Sequence, residues 1–133
     1  VATLDAQTRA FLAEKRFGVL ATLNANGTIQ QTVMWYDLDG DEILMNTLAG
    51  RVKDGNLRRT PRISLCVEDG QRYVTLSGTV RLIEDQTTAQ ADIRRLALRY
   101  TSDPANIEAE TEQFRQQQRV TIRMTIARVM TRL

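Results

Sequence analysis

The residues best placed to do chemistry lie in one run, NTLAGRVKDGNLRRTPR, residues 46–62. It carries Arg51, Lys53, Arg58, Arg59 and Arg62, five of the chain's 18 lysines and arginines, against one acid, Asp54. Gly50 opens the run and Pro61 closes it, which predicts a short helix whose start exposes free backbone N–H groups. Cations beside a helix N-terminus suit an anion, above all a phosphate. On a regular helix Arg51 and Lys53 point about 200° apart, so they converge only if Arg51 belongs to the turn and Lys53 to the first helical turn. A solvated basic helix packed on a sheet fits the same pattern, and spacing alone does not separate the two. Arg58, Arg59 and Arg62 have a weaker claim, and Arg58 reads as a surface residue.

What is missing narrows the chemistry further. The chain has no histidine, which excludes Ser-His-Asp and Cys-His nucleophiles, His-bound zinc and histidine acid–base catalysis. The lone Cys66 excludes an intrachain disulfide and a cysteine zinc site, and reads as a small packed residue. No metal site is expected, so a cofactor must carry the reaction, with Tyr36 or ordered water as proton source. Gln30, Gln31 and Thr32 interrupt an apolar strand with groups that both donate and accept hydrogen bonds, as a ligand-facing or an exposed strand face would. Trp35 and Tyr36 read as core or interface residues, and Arg119, Arg123, Arg128 and Arg132 as a solvated or dimer-facing side of the last strand.

The elements that position these residues follow from periodicity. At 133 residues, 42% hydrophobic and 26% charged, the chain is expected to form a single domain over residues 1–133. It has no apolar run near ~20 residues and no secretory pattern, so no membrane partner is expected and the cytoplasm is the default location. A net charge of +2 without an aromatic-rich basic face argues against nucleic acid. A first helix capped by Thr3 is expected to end near Arg16. A buried strand from Phe17, the Asn26-Gly27 turn and a second strand over 28–37 follow, then the Asp39-Gly40 turn and a third strand over 42–47. These three consecutive antiparallel strands are expected to deliver the basic run to a sheet edge. Further strands read at 63–68, 72–84 and 119–133, with irregularities at Gly78 and Ala127. Helices read at 86–100, capped by Asp85 with Arg94, Arg95 and Arg99 on its solvated side, and from Asp103-Pro104 to about 118. The expected fold class is mainly β with α: a six-stranded antiparallel barrel, closed or nearly so, with peripheral helices.

GVLAT at 18–22, the Asn-Gly hairpin, VMWYD at 33–37, RVKDGNLRRTPRISL at 51–65 and YVTLSGTVRLIED at 73–85 together resemble the split β-barrel flavin and deazaflavin oxidoreductases, the pyridoxamine 5'-phosphate oxidase-like superfamily. The R-x-K followed by N-L-R-R-x-P-R is most similar to the branch that binds the deazaflavin coenzyme F420 rather than FMN. The resemblance implies a homodimer with the cofactor in a groove at the interface and a small-molecule hydride acceptor. It implies a phosphate site at Arg51 and Lys53 supported by Gly50 and Asn56, with Arg59 among the cofactor-binding residues. It further implies that Gln31, Thr32, Val33 and Met34 run along the tricyclic ring and that Asn46 and Thr47 border the groove. FMN in the same grip, and a non-catalytic cofactor store, are the alternatives. The chain lacks the C-terminal arginine and histidine by which pyridoxamine phosphate oxidases proper hold their substrate, which speaks against vitamin B6 oxidation.

Overall fold

Alternating apolar residues and four glycine turns with positive φ fold the chain, described over residues 1–133 by a computed structural model, into seven strands and four helices. In order these are α1 (Ala6–Ala13), β1 (Gly18–Leu23), β2 (Ile29–Met34), β3 (Asp37–Asp39), β4 (Glu42–Leu48), α2 (Val52–Arg59), β5 (Arg62–Glu68), β6 (Tyr73–Ile83), α3 (Gln86–Tyr100), α4 (Pro104–Arg115) and β7 (Arg119–Arg132). All strands join one antiparallel sheet in the order β2-β1-β5-β6-β7-β4-β3.

Two expectations are corrected here. The sheet has seven strands rather than six, and it is open, with β2 and β3 as ends that share no hydrogen-bond ladder. The second strand does not run through to 37, because Trp35 and Tyr36 break it. Tyr36 turns its ring wholly into the core, where its hydroxyl donates to the Leu12 carbonyl at 2.9 Å. Trp35 stacks on Tyr100 with ring centroids 5.4 Å apart and planes within 5°. The Tyr100 hydroxyl also accepts from the Tyr36 amide and donates to the Tyr36 carbonyl, so the backbone groups freed at the break remain paired. The chain thus leaves one end of the sheet and re-enters at the other. β2 pairs with β1, whereas β4 lies between β7 and β3, so no three-strand meander forms.

The core-facing side of the sheet carries Leu20, Ile43, Met45, Leu65, Leu76, Ile122 and Met124, all fully buried. Helix α3, capped by Asp85 accepting from the Thr88 amide, covers the other face of β4 and β7 with Ile93, Leu96 and Ala97. Helix α1 is capped by Asp5 rather than Thr3, since the Asp5 carboxylate lies 2.7 Å from the Thr8 amide. No helix is long and apolar enough to cross a membrane.

The irregularities at Gly78 and Ala127 are two sides of one bulge. Ser77 pairs with Arg128 and Gly78 with Ile126, leaving Ala127 as the extra residue of β7. There the strands approach so closely that a Cβ on Gly78 would lie 1.9 Å from the Thr125 carbonyl oxygen. Gly78→Ala should therefore cost about 3 kcal/mol or more in urea unfolding, since neither ladder strand can move away. A loss under about 1 kcal/mol would show that the close approach is relieved at little cost.

Candidate functional site

The site begins where β4 ends. Gly50 adopts φ 86°, open to glycine without strain, and turns the chain into α2. The buried Asp54 carboxylate fastens this turn by accepting from the Gly50 amide at 2.9 Å and from Arg58 Nε at 3.0 Å. The one acid of the basic run is thus spent on its own fold, and the Gly50 N–H is spent with it. Arg51 becomes the N-cap residue in extended backbone geometry, and Lys53 falls in the first helical turn. The amides of the first helical turn point outward with no intrahelical acceptor.

Gln30 and Thr32 of β2 face this turn. Together with Gly50, Arg51, Val52 and Lys53 they line a recess of about 380 Å³. Arg51 also lines a second recess of about 310 Å³, walled by Val33, Met34 and Trp35, by Asn46 of β4, by Ile93 and Leu96 of α3, and by Phe114, Gln117 and Arg119. The two recesses make one groove joined at Arg51.

Arg119 corrects the sequence reading. It is only 8% exposed, not on a solvated side, and donates from Nε to Asn46 Oδ1 at 3.0 Å and from Nη1 to Gln117 Oε1 at 2.8 Å. Its guanidinium lies 5.1 Å from the centre of the Phe114 ring. Strand alternation could not reveal this, because the residue is placed by the pairing of Leu48 with Arg119 across β4 and β7. Arg51, Lys53 and Arg119 take part in no ion pair. Burial, then Arg51, pushes Arg119 down to about 10, and burial, then Arg51 and Arg119, lowers the Lys53 ammonium. Three cations therefore share one groove without a countercharge.

The remaining candidates separate. Asn46 is buried on the groove side, donating to the Ala89 carbonyl and accepting from Arg119. Thr47 points the other way by strand alternation, onto the side of Ile43 and Met45, with its hydroxyl buried and unpartnered. Gln31 is exposed on the outer face of β2 with Ile29 and Val33. Asn56 does not line the groove: its amide donates to Thr22 Oγ1 and Asn24 Oδ1 and its oxygen accepts from Arg59, while Arg59 also reaches the Leu23 carbonyl. These two residues fasten α2 to β1. Arg58 bridges Asp54 and Glu84. Arg99 is not solvated but donates to the carbonyls of Leu12, Ala13 and Glu14, and Arg123 pairs with Asp39. Tyr36 is no proton donor, since its buried hydroxyl is engaged by Leu12 and burial raises it to about 12.

Residues 4–132 match the family described as pyridoxamine 5'-phosphate oxidase. The chain belongs to this family. Among solved structures, a conserved hypothetical protein from Mycobacterium tuberculosis superposes with a TM-score of 0.82 at 28% identity, covering 98% of this chain and 85% of that one. An F420 reductase superposes with a TM-score of 0.76 at 25% identity, covering 96% of this chain and 98% of that one. An FAD-binding protein from Mesorhizobium loti, 20% identical with a TM-score of 0.66 over 98% of this chain and 95% of that one, shares the fold. No curated protein matches the chain. The family's fold is that of flavin- and deazaflavin-binding oxidoreductases, and in this member the cationic groove lies between β2 and the start of α2 and reaches α3.

Two substitutions test the groove. Lys53→Met removes a partly buried charge that has no acid partner. Because the folded-state pKa of Lys53 lies below its ordinary 10.5, wild-type stability rises as pH climbs from the former to the latter, and the variant should lack that rise. At neutral pH the variant should melt no lower than wild type, while tens of millimolar inorganic phosphate should raise the wild-type Tm and leave the variant's unmoved. Equal phosphate responses would remove Lys53 from the anion site. Tyr36→Phe should cost about 0.5–1.5 kcal/mol of stability on chemical unfolding and leave cofactor binding unchanged.

Proposed function

We propose that this chain is an F420-dependent oxidoreductase that transfers hydride between the reduced deazaflavin and a small organic acceptor, working as a homodimer with the cofactor at the interface. The observation that carries this reading is the pair Arg51 and Lys53, held without a countercharge at the start of α2 and facing Thr32 and Gln30. A phosphate there meets two cations, outward amides and a helix N-terminus. The residues present fit the coenzyme. Gln30 and Thr32 offer donors and acceptors to a heterocycle's carbonyls and ring nitrogens, and Val33, Met34 and Trp35 offer an apolar edge. The 25% identity to an F420 reductase over 96% of this chain supports the choice of coenzyme.

The cofactor supplies the hydride when bound; the chain binds, orients and desolvates. With no histidine in the chain and Tyr36 engaged in the core, water in the groove delivers any proton. The homodimer is supported by the edge strand β2, where Ile29 and Val33 are 67% and 66% exposed beside an open ladder. A second copy laid there covers both and closes the groove. The cytoplasm, where reduced coenzyme is available, is the proposed location.

Titration of F420 and FMN into the purified protein, followed by fluorescence, tests the reading. F420 should bind with a Kd below tens of micromolar and more tightly than FMN, and Lys53→Ala should weaken it by about 1.5–3 kcal/mol, roughly tenfold to a hundredfold. Tighter FMN binding would transfer the reading to a flavin enzyme of the same fold. If neither cofactor binds, the oxidoreductase reading fails.

A further inference from the structure

Holding a phosphate at Arg51 and Lys53 leaves Arg119 without a countercharge. A guanidinium this buried is costly unless paired, and its two bonds run to the neutral oxygens of Asn46 and Gln117. Nη2 makes no hydrogen bond and keeps access to the recess that Arg119 lines. Nη2 is thus the free end of the fork, and Nη1 has a second N–H besides the one given to Gln117, so the terminal edge can meet the two oxygens of a carboxylate.

The walls indicate what stands behind the charge. Trp35, Ile93, Leu96 and Phe114 present apolar surface, and the volume of about 310 Å³ lies at the small end of ligand sites. An inorganic anion leaves those walls uncovered, while a neutral apolar ligand leaves Arg119 unpaired. We propose that this recess binds an organic carboxylate with a flat, ring-sized apolar body, and that Arg119 supplies its countercharge. On the oxidoreductase reading above, on which only this assignment of role depends, that molecule is the hydride acceptor. Phe114 against the guanidinium and Asn46 behind it hold the fork in one orientation, so Arg119 sorts acceptors by charge as well as fit.

Trp35, the chain's only tryptophan, lines the recess and reports on it directly. The probe is anthranilate, whose absorption overlaps tryptophan emission, compared with anthranilamide, the same ring without the charge. Cofactor-free wild-type protein should show saturable energy transfer from Trp35 to anthranilate and bind anthranilamide roughly tenfold more weakly or worse. Arg119→Gln should reduce anthranilate affinity to that of the amide and leave the amide unchanged, Arg119→Lys should restore part of the difference, and Lys53→Ala should leave anthranilate binding within about twofold. Equal binding of the two probes overturns the proposal, as does the absence of saturable transfer. A loss in Lys53→Ala as large as that in Arg119→Gln also overturns it, because the carboxylate then sits in the phosphate recess. Should Arg119→Gln fail to fold, the two probes on wild-type protein decide alone. Anthranilate binding beside absent F420 binding sinks the cofactor reading and leaves this site standing.

Discussion

The structure depends on strand β7 serving two neighbours at once. Over its first half, β7 pairs with β4 on one side and β6 on the other, burying Val120, Ile122, Met124 and Ile126. Pairing with β4 sets Arg119 opposite Leu48, from where its side chain reaches Asn46, and the doubly paired Thr121 reaches Asp92 on α3, so helix and sheet are joined by polar contacts where the groove begins. Past the bulge at Ala127, β7 keeps only β6 and most of its residues are exposed, Val129 alone of residues 127–132 being partly buried against the core. A strand that crosses from a doubly paired core to a free edge needs that one extra residue, and the absent side chain of Gly78 makes room for it.

The groove's character comes from how acids are spent. Asp37, Asp39 and Glu42 neutralise Arg81, Arg95, Arg99 and Arg123, and Asp54 neutralises Arg58. Arg51, Lys53 and Arg119 receive none. Burial and the neighbouring Arg51 destabilise the charged forms of Lys53 and Arg119, a cost that an anionic ligand removes on binding. The fold thus stores binding free energy for an anion in an unpaired cluster and holds that cluster in place through the buried carboxylate of Asp54.

Much of this was legible in the residues. Helix α3, its Asp85 cap and the Asn26-Gly27 hairpin are local, set by periodicity and turn chemistry, and they appear where the sequence puts them. The placement of Arg51 in the turn and Lys53 in the helix follows from Gly50, whose positive φ turns the chain so that the helix starts at Val52. The role of Asn56 and Arg59 in fastening α2 to β1 was not legible in the basic run, because their partners Thr22, Leu23 and Asn24 are more than thirty residues away in the chain. The seventh strand misled because Trp35 and Tyr36 continue the alternation of β2 while their rings are claimed by Tyr100 and Leu12.

By itself the sequence determined the local elements, the exclusion of histidine, disulfide and zinc chemistry, and a short cationic helix entered through glycine. These depend on neighbours within a few residues, where backbone preferences and side-chain periodicity act. The tertiary structure alone decided that the sheet stays open, that β2 faces the start of α2, and that Arg119 joins Arg51 and Lys53. Those outcomes depend on strand pairing between residues seventy or more apart, as in Leu48 with Arg119, and on which acids remain to meet which cations once the strands have paired.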